Sequence, residues 1–189
     1  SQKEYYYYAN RKLSHVDTYA LEGGDLVLSA RTYYQADGKQ IIMRETFEND
    51  GTDNRTVTQR THYVYASADN YTGDYRLIET KTYAVYNGSD TYLQQRVVYN
   101  SNPAYTGEDG ANYGVARYGH VAVLTVTYSL LSETDSAGVT GYQTVNGFRC
   151  AVYGRTFHHY DAMTHALAYE NAYSIHYPDG VARAELIAK

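Results

Sequence analysis

Residues 18–52 read TYALEGGDLVLSARTYYQADGKQIIMRETFENDGT, and their rhythm decides the fold. Three turn dipeptides, Gly23-Gly24, Asp37-Gly38 and Asp50-Gly51, stand about one hairpin arm apart, and each offers the positive φ that a tight hairpin turn demands. Between the turns, Thr-aromatic pairs at Thr18-Tyr19, Thr32-Tyr33 and Thr46-Phe47 recur every 14 residues. The segments alternate with a period of two. Leu26, Leu28 and Ala30 share one face with Ser29 and Arg31 opposite, and Ile41, Met43 and Phe47 share a face of the next segment. One strand plus one turn is the unit, and short turns between such units predict an antiparallel meander.

Working outward, the unit degenerates but persists at Thr61-His62-Tyr63, Thr82-Tyr83 and Thr91-Tyr92. A Gly/Asn-rich stretch at 100–114 marks a change of character and divides one β domain, 1–189, into sub-sheets 1–99 and 115–189. Residues 121–131 are apolar on both faces, which predicts a central strand covered on both sides. Val145-Asn146-Gly147-Phe148 reads as a hairpin, and Pro178-Asp179-Gly180 as the last turn. Asp161–Glu170 carries a helix N-cap residue followed by good helix formers, so this segment is either a short helix or a strand. The fold expected is all-β, an antiparallel meander forming a β-sandwich or a barrel-like (jelly-roll-like) domain with at most one short helix.

Composition excludes several functions. The net charge is −5, and the arginines are scattered along the strands (Arg31, Arg44, Arg60, Arg76, Arg96, Arg117) with no clustered basic footprint, so nucleic acid is not the expected partner. No apolar run reaches the ~20 residues of a transmembrane helix, and the first hundred residues are too polar for the girdle of a membrane barrel. The single cysteine, Cys150, permits no internal disulfide and reads as a small buried apolar residue beside Ala151 and Val152. A first residue Ser1 in place of Met fits removal of a signal peptide or of a tag. Tyrosine is the outlier, 25 residues against three Phe and no Trp. Tyrosine covers half-buried pleated surface while its hydroxyl stays wet, so the expected sheets are thin and much exposed.

Tyr34-Gln-Ala-Asp37-Gly38 followed by Thr46 resembles the tyrosine–aspartate (YD, Rhs-type) repeat, and Tyr177-Pro-Asp179-Gly180 echoes it. Asp135-Ser-Ala-Gly138 is a looser echo. The resemblance implies an extracellular β-sheet of strand–turn units used for display, encapsulation or adhesion. The spacing departs from the pattern after residue 60, and no self-cleaving segment or toxin is present.

Candidate chemistry is sparse. His158, His159, Asp161 and His165 form the densest set of metal-ligand types. On a strand, however, His158 and His159 face opposite ways, so only one of them can join Asp161. Asp50 and Asp53, in the oxygen-rich turn 49–54, are candidate calcium ligands, as are Glu108 and Asp109. Such turns also form without any ion, since Asn and Asp tolerate left-handed backbone. Asn54, Asn70 and Asn87 head N-glycosylation sequons. No nucleophile elbow and no Gly-rich phosphate loop is present.

The expected function is an extracellular, cell-surface structural or assembly protein, a subunit of a fibre, tube or layer. The strand formed by Glu4 and Tyr5, Tyr6, Tyr7 and Tyr8 would pair along a sheet edge, either of a neighbouring subunit or of the protein's own body. The alternative is a glycan- or peptide-binding module with a tyrosine platform, and behind that a β-fold enzyme whose residues carry no local motif.

Overall fold

The computed structural model describes residues 2–49, 55–66, 76–100, 102, 121–132, 139, 141–161, 163, 164 and 166–188. Among these the chain forms twelve strands: β1 (Gln2–Ala9), β2 (Lys12–Glu22), β3 (Asp25–Tyr34), β4 (Ile41–Asn49), β5 (Arg55–Tyr65), β6 (Leu77–Tyr86), β7 (Ser89–Tyr99), β8 (Ala122–Leu130), β9 (Gln143–Val145), β10 (Phe148–Tyr160), β11 (Leu167–His176) and β12 (Arg183–Ala188). They hydrogen-bond in the order β1-β2-β3-β4-β5-β6-β7-β8-β10-β11-β12, with β9 set against β10. The all-β antiparallel meander is therefore present. Among the described residues the strands form one sheet in which β1 and β12 do not pair, which removes the barrel-like closure. In this order consecutive strands are neighbours except at β9, which pairs β10 and not β8, so the order is that of a meander and not of a jelly roll.

Four connections among the described residues are two-residue turns in which both residues have positive φ: Asn10-Arg11, Gly23-Gly24, Asn87-Gly88 and Asn146-Gly147. This geometry matches the right-handed twist of the flanking strands. The loop around Asp37-Gly38 is wider. Gln35 N–H donates to Gln40 O at 2.8 Å, and Gly38 N–H donates to Gln35 O at 2.8 Å, with Gly38 at φ 76°. A side chain at Gly38 would also collide with the backbone of β2, since its Cβ would lie 2.7 Å from Leu13 N.

The helix alternative for 161–170 is settled toward strand. Asp161 Oδ1 accepts from Met163 N–H at 2.9 Å and Thr164 N–H at 2.6 Å, which is cap chemistry, yet β11 begins at Leu167. The cap closes a hairpin loop, and the ladder of β11 against β10 outweighs local helix propensity.

By compactness the chain divides into Ser1–Tyr63 with Thr82–Thr91, and Val64–Lys81 with Tyr92–Lys189. The line of division passes through β5, β6 and β7. In the first unit Val16 and Ala30 are buried, and the ladders slip by one residue at Thr18/Tyr19, Tyr33/Tyr34 and Thr46/Phe47. Such bulges sharpen the twist. In the second unit β8 lies between β7 and β10 with Val123, Val126 and Tyr128 buried, and these residues occupy both of its faces. Cys150 is buried at 1 % exposure, and burial pushes its thiol pKa up against the opposing effect of a backbone hydrogen bond at Leu93.

Candidate functional site

The tyrosine-rich segment is the outer strand of the sheet. Gln2–Ala9 pairs with β2 of its own chain, with Tyr5 opposite Asp17, Tyr6 opposite Val16 and Tyr7 opposite His15. The four rings stay 47, 56, 41 and 67 % exposed from Tyr5 to Tyr8. Tyr7 stacks on His15 with centroids 4.3 Å apart, Tyr5 meets Tyr19 edge-on at 5.3 Å, and the Tyr6 hydroxyl donates to Glu4 Oε2 at 2.8 Å. The two ring contacts join β1 to β2, and the Tyr6–Glu4 bond lies within β1. Among the described residues, no strand lies on the other edge of β1.

In line with Tyr5 runs a row of alternating charge. Asp17, Arg31, Glu45 and Arg60 oppose one another in turn across β2, β3, β4 and β5. Arg31 donates to both Asp17 oxygens at 2.5 and 2.8 Å, Arg60 donates to Glu45 at 2.7 Å and to Asp90 at 2.6 Å, and His62 Nε2 lies 2.6 Å from Asp90. The Tyr33 hydroxyl donates to Glu45 at 2.9 Å. Hydrogen bonding to Asp17 raises the Arg31 pKa against the opposing effect of burial. On the same face Tyr7, His15, Tyr33, Met43 and His62 make a parallel row, aromatic except at Met43, because residues two apart share a face. The sequence carried the signal for the charged row. The residue before each repeating Thr is Asp17, Arg31, Glu45, Arg60, Lys81 or Asp90, a charged position that the Thr-aromatic repeat alone does not mark.

The second unit holds an arrangement with no sequence motif. His158 Nδ1 lies 2.6 Å from Glu170 Oε1, and its Nε2 lies 2.9 Å from Thr125 Oγ1. His158 pairs with Glu170 across β10 and β11, and Thr156, two residues from His158, pairs with Thr125 on β8, so all three side chains share a face. Sequence separations of 33 and 12 residues hide this contact.

No protein-family model, curated protein or solved structure matches the chain.

Asp50, Asp53, Asn54, Asn70, Glu108, Asp109 and His165 lie outside the described residues. Asn87 occupies the β6–β7 turn at φ 50°, an exposed position. The described members of the histidine set, His158, His159 and Asp161, do not converge. His158 is engaged by Glu170, His159 stacks on Tyr169 at 4.3 Å on the opposite face, and Asp161 Oδ1 is turned onto its own loop. Among the described residues no three His, Cys, Asp or Glu side chains are grouped to hold a metal ion, and no helix is long and apolar enough to cross a membrane.

Proposed function

We propose that this protein is an extracellular structural subunit that associates with other subunits by strand addition at β1. The observation that carries the reading is an outer strand of eight residues with every side chain exposed, four of them tyrosines. Half of the backbone N–H and C=O groups of such a strand point away from its one neighbour and take a further strand readily. Added tyrosine surface would contribute about 25 cal/mol per Å² buried. The tyrosine–aspartate repeat resemblance supports the same setting, an exported β-sheet of strand–turn units.

Light scattering across a concentration series tests it. The intact protein is expected to form multimers, and deletion of residues 1–9 to abolish them. Because β1 also pairs with β2, the double substitution Tyr6→Lys with Tyr8→Lys separates the two roles. It should dissolve multimers and leave the melting temperature nearly unchanged. A protein that is monomeric throughout the series defeats the proposal.

The second reading, a glycan- or peptide-binding module, draws on the aromatic row of Tyr7, His15 and Tyr33. A glycan array scored against a Tyr7→Ala, Tyr33→Ala variant decides it. Equal signals, or none, dismiss the platform.

A further inference from the structure

The geometry points to Thr125 as a nucleophilic hydroxyl, activated by His158 and oriented by Glu170, that accepts small acyl groups from activated carboxylic esters. An ionised carboxylate only accepts hydrogen bonds, so Glu170 at 2.6 Å keeps the imidazole proton on Nδ1. Nε2 is thereby left as an acceptor for the Thr125 hydroxyl at 2.9 Å. Hydroxyl, imidazole and carboxylate in this order are the constellation recognised by geometry rather than by chain position, and it recurs on unrelated folds. The His158 side chain is 15 % exposed and that of Glu170 is 45 %, so the array is shielded yet open to solvent at one end. Three neighbouring positions of the same face are small: Gly154 and Thr156 on β10 and Ala172 on β11. Tyr160, whose hydroxyl donates to Ala122 O at 2.8 Å, and Val97, opposite Thr125 on β7, border the hydroxyl on its other sides, so the ester carbonyl would approach over Gly154 and Thr156. Thr156, directly opposite Thr125 in the ladder, is placed by register to donate its hydroxyl to the oxygen that gains charge.

The step balances without a co-reactant. Thr125 Oγ adds to the carbonyl carbon while its proton passes to His158 Nε2. The adduct collapses, the C–O bond to the alcohol breaks, and the departing alkoxide takes that proton. Thr125 is left as an O-acyl ester, which water hydrolyses through the same relay to release the carboxylic acid. Glu170 touches neither ester nor water and is a positioning residue.

The test uses the full chain and p-nitrophenyl acetate, with nitrophenolate release followed by absorbance and the acetyl group located by peptide mass mapping. Acetylation at Thr125 is expected, absent in Thr125→Val and retained in Thr125→Ser. The serine variant also covers the case in which the valine variant fails to fold. His158→Gln should slow labelling of Thr125 by on the order of a hundredfold. Glu170→Gln should slow it about tenfold or more, with Glu170→Asp recovering part of the loss, a pattern that a purely structural carboxylate would not produce. Acetyl found only on lysines or tyrosines, or Thr125 labelled equally fast in His158→Gln, overturns the inference. So does a protein that neither takes up acetyl nor releases nitrophenolate faster than buffer.

Discussion

Asp17 is 2 % exposed, and both of its oxygens are taken by Arg31. A carboxylate withdrawn this far from water is tolerable only because the guanidinium fork satisfies it in two places. Loss of Asp17 leaves a partly buried cation unpaired. Breaking a fully buried pair costs roughly 3–5 kcal/mol, and the 32 % exposure of the Arg31 side chain lets water recover part of that. Asp17→Ala should therefore destabilise by about 2–3 kcal/mol in urea melts. Adding Arg31→Met to Asp17→Ala should cost less than the two single losses together, because no orphan charge remains. Additive losses would show that the pair is not coupled.

At the scale of the element, the turns do the sorting. Asn146 and Gly147 sit at φ 51° and 84°, and a Cβ at Gly147 would meet nothing within 4 Å. The penalty of Gly147→Val is thus backbone strain alone, about 1–2 kcal/mol, since a β-branched residue resists left-handed φ. A neutral result in denaturant melts would mean that the β9–β10 turn had relaxed to another form. The β1–β2 turn offers the converse case. Arg11 holds φ 63° with a side chain that fits that region poorly, and Arg11→Gly should stabilise by about 0.5–1 kcal/mol in the same melts. A loss of stability would show that the arginine contributes a contact worth more than its strain. Both turns were legible in different degrees. Asn-Gly announces a hairpin, whereas Asn-Arg does not, because its positive φ is imposed by the strands on either side.

For the whole molecule, the abundance of tyrosine becomes a pH dependence. Burial raises Tyr128, against the opposing charge of Arg96. Burial likewise raises Tyr160, reinforced by Glu170, and Tyr177, against Arg155. The native state holds these protons at pH values where the unfolded chain has released them, so it binds more protons and its stability falls as pH rises. The contribution is whole below about pH 10, the unfolded value, and is lost as pH climbs through the raised native values. Urea midpoints should hold up to about pH 10 and drop as pH climbs above it, with phenolate absorbance resolving a late-titrating class of tyrosines. One uniform titration with a flat midpoint would contradict the burial of these rings.

Period and turn chemistry are local, so the sequence alone determined that this chain is an antiparallel β meander, that residues 121–131 form a covered strand, and that 4–8 lie on a sheet edge. Alternation of side chains and positive-φ dipeptides act within a few residues, and no distant part of the chain need be known to read them. Which residues meet across strands was decided only in the tertiary structure. The charge of Asp17 is spent on Arg31 because a one-residue slip at Thr18/Tyr19 follows that pair rather than precedes it. His158 joins Thr125 and Glu170 because β8 and β11 flank β10 in a register that no local motif encodes. A shift of one residue turns a side chain to the other face, so such contacts exist only once every ladder has found its register.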